Sequence, residues 1–190
     1  MRWAAGILGK AGKKITQRDM ELLLTKTGTD MGNLRMEMEK LISYTEGRDV
    51  VTAEDIEEIC TTQTTNRIFD MVRAVTEKNQ KRALELYYDL LTLKEPPMRI
   101  LFLLAKQYRQ LLLAKQFAAA GLAQTEIGSK LGVPGFVVKN ITTCARAYTI
   151  SELEQAVKDF VDAEESVKTG RLEDKLSVEL LIIKYSSKVK

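Results

Sequence analysis

The chain has 190 residues, of which 45% are hydrophobic and 29% charged, enough apolar content to bury a core in one large domain or, the better fit, two small ones. Its net charge of +3 is too small to mark a nucleic-acid binder by itself, and the absence of histidine removes the commonest general base and the usual catalytic triads. No apolar run reaches the roughly 18 residues of a membrane span and no signal-peptide layout opens the chain, so a soluble, cytoplasmic protein is expected.

Leu, Ala, Glu and Lys dominate while Gly and Pro are few, which favours an all-α fold. Met1-Arg2-Trp3-Ala4-Ala5 is an abrupt, Ala-rich helical opening that reads as the start of a piece of a longer protein. Arg2, Lys10, Lys13, Lys14 and Arg18 make this end basic. Thr16 and Asp19 have capping-box spacing ahead of a helix whose apolar surface is Met20, Leu22, Leu23 and Leu24. Gly28 suits a left-handed helix end, and the Asp30 carboxylate suits the cap of the next helix. Along that helix, to about Glu46, Met31, Leu34, Met38, Leu41 and Ile42 recur on one face, with Arg35, Glu39 and Lys40 turned elsewhere. A turn at Gly47-Arg48-Asp49, an extended Val50-Val51 and a helix capped by Thr52 and Asp55 complete a small bundle of about four helices over 1–61.

Thr61-Thr62-Gln63-Thr64-Thr65 is polar and uncharged, a composition that suits a linker, placed at 62–65, ahead of a second domain at 66–190. Ile68, Phe69, Val72 and Val75 mark its first helix, and Ala83, Leu84, Leu86, Tyr87, Leu90 and Leu91 its second, before Pro96-Pro97 breaks the chain. From Pro97 to about Ala120 runs the longest helix, roughly 36 Å at the usual rise. It is apolar on more than one face, which makes it the spine of the domain. A short helix to Leu131 follows, then one from about Gly135 to Tyr148, one capped by Ser151 and Glu154 and running to Thr169, and a last through Leu176, Leu180, Leu181 and Ile183. Their order implies an up-and-down bundle.

Cys60 and Cys144 are distant single thiols outside any zinc or redox pattern and read as buried hydrophobes. The segment Gln124 to Val138 has the look of a helix-turn-helix, but its second helix opens on Phe136, Val137 and Val138, where a base-reading helix would carry polar side chains. Packing of two short helices on the spine is the better reading. No Gly-rich phosphate loop occurs, so no cofactor and no catalysis by this chain alone are expected. Asp159, Asp162, Glu164 and Glu165 form an acidic stretch that suits a solvated face.

Gly32-Asn33-Leu34-Arg35 followed by Glu37-x-Glu39-Lys40-Leu41 resembles the delta subunit of the bacterial DNA polymerase III clamp loader, whose second domain carries such a helix. The likeness continues in order. Trp3 is similar to the Trp that opens the family's lid domain. Ile68-Phe69-Asp70 and Ala83-Leu84 resemble its first collar helices, Ile100-Leu101, Gln107-Tyr108-Arg109 and Lys115 its long collar helix, and Lys168-Thr169-Gly170 its late Lys-x-Gly turn. Glu126-Ile127-Gly128 and Leu131 place the helix-turn-helix-like segment in the collar, and Glu164 stands where the family has Asp.

The resemblance implies an AAA+-type lid at 1–61 and a collar at 66–190, without the family's first domain. It implies a non-catalytic scaffold within a DNA-directed DNA polymerase holoenzyme, assembled with the gamma/tau ATPase and delta-prime subunits. The sliding clamp would be met through the missing first domain and primed DNA indirectly or weakly, with no membrane contact. The residues it marks as structural or interfacial are Trp3, Leu34, Glu37, Lys40, Leu41, Gln107, Arg109, Lys115, Lys168 and Gly170. Arg35 stands where the lid of related ATPases carries a γ-phosphate sensor; a surface ion pair with Glu39 one turn on is the favoured reading. The other open reading is a DNA-binding regulator using 124–148.

Overall fold

A computed structural model describes residues 2–28, 30–62 and 64–187. Thr29, between the expected helix end and the next cap, and Gln63, within the expected linker, lie outside the described residues, as does Met1 at the opening. The described residues form eleven helices and one two-residue strand pair, an all-α protein. The chain divides into two compact units, Met1–Asn66 and Arg67–Lys190.

The first unit holds α1 (Arg2–Lys10), β1 (Lys14–Ile15), α2 (Gln17–Thr27), α3 (Met31–Tyr44), β2 (Val50–Val51) and α4 (Ala53–Ile59). Thr16 caps α2 by accepting the Asp19 N–H, and its hydroxyl donates to the Asp19 carboxylate, so the expected box is only half of the reciprocal pattern. At Thr52 the box is complete: Asp55 N–H donates to the hydroxyl and the Asp55 carboxylate takes the Thr52 N–H. Asp30 caps α3 through the Asn33 N–H at 2.8 Å. Gly28 ends α2 at φ +79°, where a side chain would be strained. Val50-Val51 is extended as expected, and it pairs in parallel with Lys14-Ile15, a partner that so short a stretch does not announce. Lys13 locks this corner by donating to the carbonyls of Thr45 and Arg48, each at 2.7 Å.

The core of this unit is Ala4 and Leu8 on α1, Met20, Leu23 and Leu24 on α2, Leu34, Met38 and Leu41 on α3, and Ile56 on α4. Met31, expected on the inward face, is 57% exposed, because it sits at the first position after the cap, before the helix has reached the core. The inward face carries Glu37 in its place, only 5% exposed.

The second unit contains most of α5 (Thr64–Thr76), then α6 (Gln80–Thr92), α7 (Pro97–Ala119), α8 (Gln124–Leu131), α9 (Gly135–Ala145), α10 (Ile150–Lys168) and α11 (Asp174–Ser186). Helix α5 begins at Thr64, inside the stretch expected as linker, and α9 stops three residues short of the expected Tyr148. The cap of α10 is Thr149 with Glu152, not Ser151 with Glu154. Both pairs have the same spacing. Leu153, Ala156 and Phe160 form the buried face of the helix.

Helix α7 is the spine, packing against α8, α9, α10 and α11. Ile100, Leu104, Tyr108 and Leu111 are fully or almost fully buried along it. Tyr108 donates to or accepts from Tyr148 at 3.1 Å and packs its ring on Phe160 and Tyr185, with centroids 5.0 and 5.5 Å away. Burial pushes the Tyr148 hydroxyl up to about 12 and the Tyr108 hydroxyl well above its ordinary value, so both stay protonated and one donates to the other. Two helix ends use lysine in the left-handed region, Lys78 at φ +56° and Lys94 at φ +61°. Lys78 gains from this turn a reach to the Tyr185 carbonyl at 2.9 Å.

Candidate functional site

Each marked residue of the first unit has a traceable local cause. Leu34 and Leu41 are core. Glu37 points inward between α3 and the end of α4, where its carboxylate accepts the Thr61 N–H at 3.2 Å and meets Lys40 Nζ at 2.6 Å. Lys26, its side chain 10% exposed, donates to the Ile56 carbonyl at 3.0 Å and pairs with Glu57 at 2.9 Å. Cations thus cap the carbonyl end of α4, where helix dipole and orphan carbonyls favour them. Beside them Cys60 is buried, and desolvation, helped by the Glu37 charge, pushes its thiol up to about 11. The Glu-x-Glu-Lys-Leu wording therefore forms a clamp on the chain as it leaves α4. The burial of Glu37 is the feature that periodicity missed, because a carboxylate does not register in an apolar pattern.

Arg35 lies on the opposite side of α3 with its side chain 68% exposed, and pairs with Glu39 at 2.9 Å. Trp3 is 41% exposed on α1.

In the second unit Gln107 is buried on α7 and its Oε1 has no hydrogen-bond partner among the described residues, while Arg109 faces solvent two residues on. Lys115 donates to the Ala145 carbonyl at 2.9 Å, tying the spine to the end of α9. Lys168 pairs with Glu164 at 2.5 Å at the end of α10, and Gly170 follows at φ +72°, a turn that glycine makes without strain. These residues do not converge on one point. They are distributed as ties and turns along the bundle.

In the helix-turn-helix-like segment α8 and α9 pack tightly on each other. Gly132 ends α8 in the left-handed conformation, and α8 and α9 approach so closely that a Cβ on Gly128 would lie 3.0 Å from Val138 Cγ2 and 3.1 Å from the Val133 carbonyl. Val138 and Ile141 are buried, while Lys139, Thr143 and Arg146 face outward. The Thr143 hydroxyl is spent on the Lys139 carbonyl at 2.8 Å.

Two surface features remain. On α11, Leu176, Leu180 and Ile183 form an outward stripe at helical spacing, 41%, 48% and 37% exposed. On one flank Glu179 accepts from Tyr88 of α6 at 2.5 Å, and on the other Lys184 pairs with Asp159 of α10 at 2.5 Å. Burial alone would raise the Asp159 carboxyl, but bonds from Lys184, Tyr185 and Gln155 hold it below the usual range. Beside the stripe, Lys184 is thus ion-paired and Glu179 is hydrogen-bonded to a neutral hydroxyl. The second feature is a cleft of about 480 Å³ at the corner of α7, α8 and α9. Among the described residues no group of three His, Cys, Asp or Glu side chains could hold a metal ion, and no helix is long and apolar enough to cross a membrane.

Comparison with known proteins agrees with this architecture. The DNA polymerase III subunit delta of Bacillus subtilis is 27% identical over 171 residues, 90% of this chain and 49% of its own length. A probable DNA polymerase III subunit delta of Aquifex aeolicus is 22% identical over 129 residues, 67% of this chain and 37% of its own length. The solved Bacillus subtilis DNA clamp loader delta protein superposes with a TM-score of 0.86 at 24% identity, over 98% of this chain and 55% of that one, a likeness of fold. The chain spans about half the length of these relatives or less. The family model for the C-terminal domain of the DNA polymerase III delta subunit matches residues 65–185, and the chain accordingly belongs to the DNA polymerase III delta-subunit family, whose C-terminal portion it represents.

Proposed function

We propose that the chain is a non-catalytic assembly piece of the replicative clamp loader. Residues 66–190 act as a collar that packs against the collars of the gamma/tau ATPase and delta-prime subunits, and residues 1–61 act as a lid. Contact with the sliding clamp belongs to the half of the relatives that this chain does not span, and primed DNA is met indirectly. The observation that carries this reading is the α11 stripe. Leu176, Leu180 and Ile183 stand outward between a carboxylate held by the Tyr88 hydroxyl and the Lys184–Asp159 ion pair, so a neighbouring helix can cover the stripe while both polar flanks keep their partners within the unit. A specific interface of this kind buries on the order of 1,000 Å² or more.

Leu34, Glu37, Lys40 and Leu41 serve the lid from within, Gln107, Lys115, Lys168 and Gly170 serve the collar, and Trp3 and Arg109 remain available to neighbours. Arg35 is a surface residue in this reading, since its guanidinium is engaged by Glu39 one turn away.

Native mass spectrometry of this chain with the gamma/tau and delta-prime subunits tests the proposal at about 1 μM, where a Kd of that size corresponds to about −8 kcal/mol. A stoichiometric complex that disappears with Leu180→Asp and survives Arg35→Ala is expected. Partners that all remain free would overturn it, and complex formation that depends on nucleotide through Arg35 would favour a sensor role.

A further inference from the structure

The cleft at the corner of α7, α8 and α9 is unused by the collar reading. Its walls are Ala114, Ala118 and Ala119 of α7, Leu122 of the following turn, Ile127 of α8 and Ala145 of α9. Its polar lining is Lys115, Gln124, Thr142 and Arg146, without a single carboxylate. About 480 Å³ is within the range of pockets that hold a small molecule or a few side chains. The alanines create it, because any longer side chain at Ala114, Ala118 or Ala145 would project into that space.

The charge balance there is one-sided. Lys115 spends one N–H on the Ala145 carbonyl and keeps two. Arg146 is exposed, and its guanidinium meets no carboxylate among the described residues. Glu152 is near enough for the Lys115 charge to help lower its own titration, but its carboxylate is committed to the N–H and hydroxyl of Thr149 at 2.6 and 2.9 Å. The positive end of α8 reaches the same rim at Gln124, partly answered by Glu126 on the Ala123 N–H at 2.9 Å. The negative end of α9 is answered by Lys115 itself.

We propose that this cleft docks an acidic peptide segment of a partner protein, with one large apolar side chain against the alanines and a neighbouring carboxylate between Lys115 and Arg146. A nucleic acid fits the site less well. Single strands are held by aromatic stacking platforms along extended basic grooves, whereas this lining has no aromatic ring and two cations. The proposal is independent of the loader reading, since it concerns the isolated chain.

The test is selection of a random twelve-residue phage-displayed peptide library on the whole chain, with counter-selection on Arg146→Glu. Enriched sequences should carry Asp or Glu within two residues of Leu, Ile, Phe or Trp. Their synthetic peptides should bind in fluorescence polarisation, weakened at least tenfold by Arg146→Glu and by Ala118→Trp, which fills the cleft from an exposed position. Circular dichroism checks that both variants stay helical, and Arg146→Glu decides if Ala118→Trp does not. Failure to enrich, or enriched peptides that bind both folded variants equally well, would overturn the proposal. Saturable binding of a 20-nucleotide oligothymidylate that depends on Arg146, in the absence of peptide enrichment, would assign the cations to phosphate and overturn it too. Native mass spectrometry with loader subunits reports separately, so the two readings can fail apart.

Discussion

Replacing Glu37 with Ala should loosen the point where the chain leaves α4. The carboxylate is 5% exposed and accepts the Thr61 N–H, a hydrogen bond from a neutral donor to a charged acceptor. Such bonds contribute about 1.5–3 kcal/mol, and the lower half applies because Thr61 itself is exposed. Lys40 adds less than about 1 kcal/mol, since its side chain is 44% exposed and water screens the pair. Alanine returns a few tenths of a kcal/mol in helix propensity. The net loss is about 2 kcal/mol, which corresponds to roughly 30-fold faster amide exchange at Thr61 if local opening governs exchange. Glu37→Gln keeps an acceptor and should lose less than half of that. The assay is hydrogen exchange read residue by residue, which separates opening at this point from unfolding of the second unit. An exchange rate at Thr61 within threefold of the unmodified chain would refute the clamp.

Lys115→Met keeps the stem but strips the Ala145 carbonyl of its donor, so the thermal midpoint should fall by about 2–4 °C for a loss of about 1 kcal/mol; an unchanged or higher midpoint would show that the tie contributes nothing. Asp55, Glu152 and Asp159 all titrate below their ordinary values in the folded chain, Asp55 and Asp159 despite burial and Glu152 chiefly through the Thr149 N–H. Their contribution is complete above the unfolded carboxylate value of about 4 and is lost as pH falls through the folded values. Urea midpoints should therefore drop below about pH 4, and they should be nearly flat between about pH 6 and 8, where no histidine titrates. Cys60 and Cys144, both buried with thiols pushed up, should react with a disulfide reagent at neutral pH at least tenfold more slowly in the native chain than in urea.

Much of the fold was legible because its causes are local. The caps at Asp30 and Thr52, the break at Pro96-Pro97 and the apolar faces of α5 to α7 depend on a few neighbouring residues, and each lies where its chemistry requires. The failures have equally specific causes. Thr149 and Ser151 offer the same capping spacing two residues apart, so spacing alone does not choose between them; the reciprocal bonds form at Thr149 and Glu152. The strand pair of Lys14-Ile15 with Val50-Val51 joins two short stretches that no local pattern links. Met31 and Glu37 exchange the roles that polarity assigns them, because the chain beyond α4 supplies Glu37 with the Thr61 N–H and Lys40 of its own helix supplies the cation. The cleft was invisible in the sequence for the same reason. Lys115, Gln124 and Arg146 meet only after α8 turns back over the spine, and alanines carry no signal except the space they leave.

The surfaces and the motif divide the work differently from what the wording of α3 suggests. The part of that helix that carries the family likeness faces inward at Leu34, Glu37 and Leu41, so substitutions there act through the stability of the first unit and reach any assembly only indirectly. The outward part, Arg35 with Glu39, is an exposed pair whose loss costs little. On α11 the relation is reversed. Leu176, Leu180 and Ile183 contribute less to the fold they sit on than the buried faces do, because two-fifths or so of each remains in water, and that part is what a neighbouring helix would cover. A polar residue at Leu180 should then lower the melting transition by a few degrees at most and abolish association, whereas a change at Glu37 should loosen the first unit and leave association in place. A stripe whose disruption lowered stability as much as association would belong to the core of the unit, and the collar would have to meet its neighbours elsewhere.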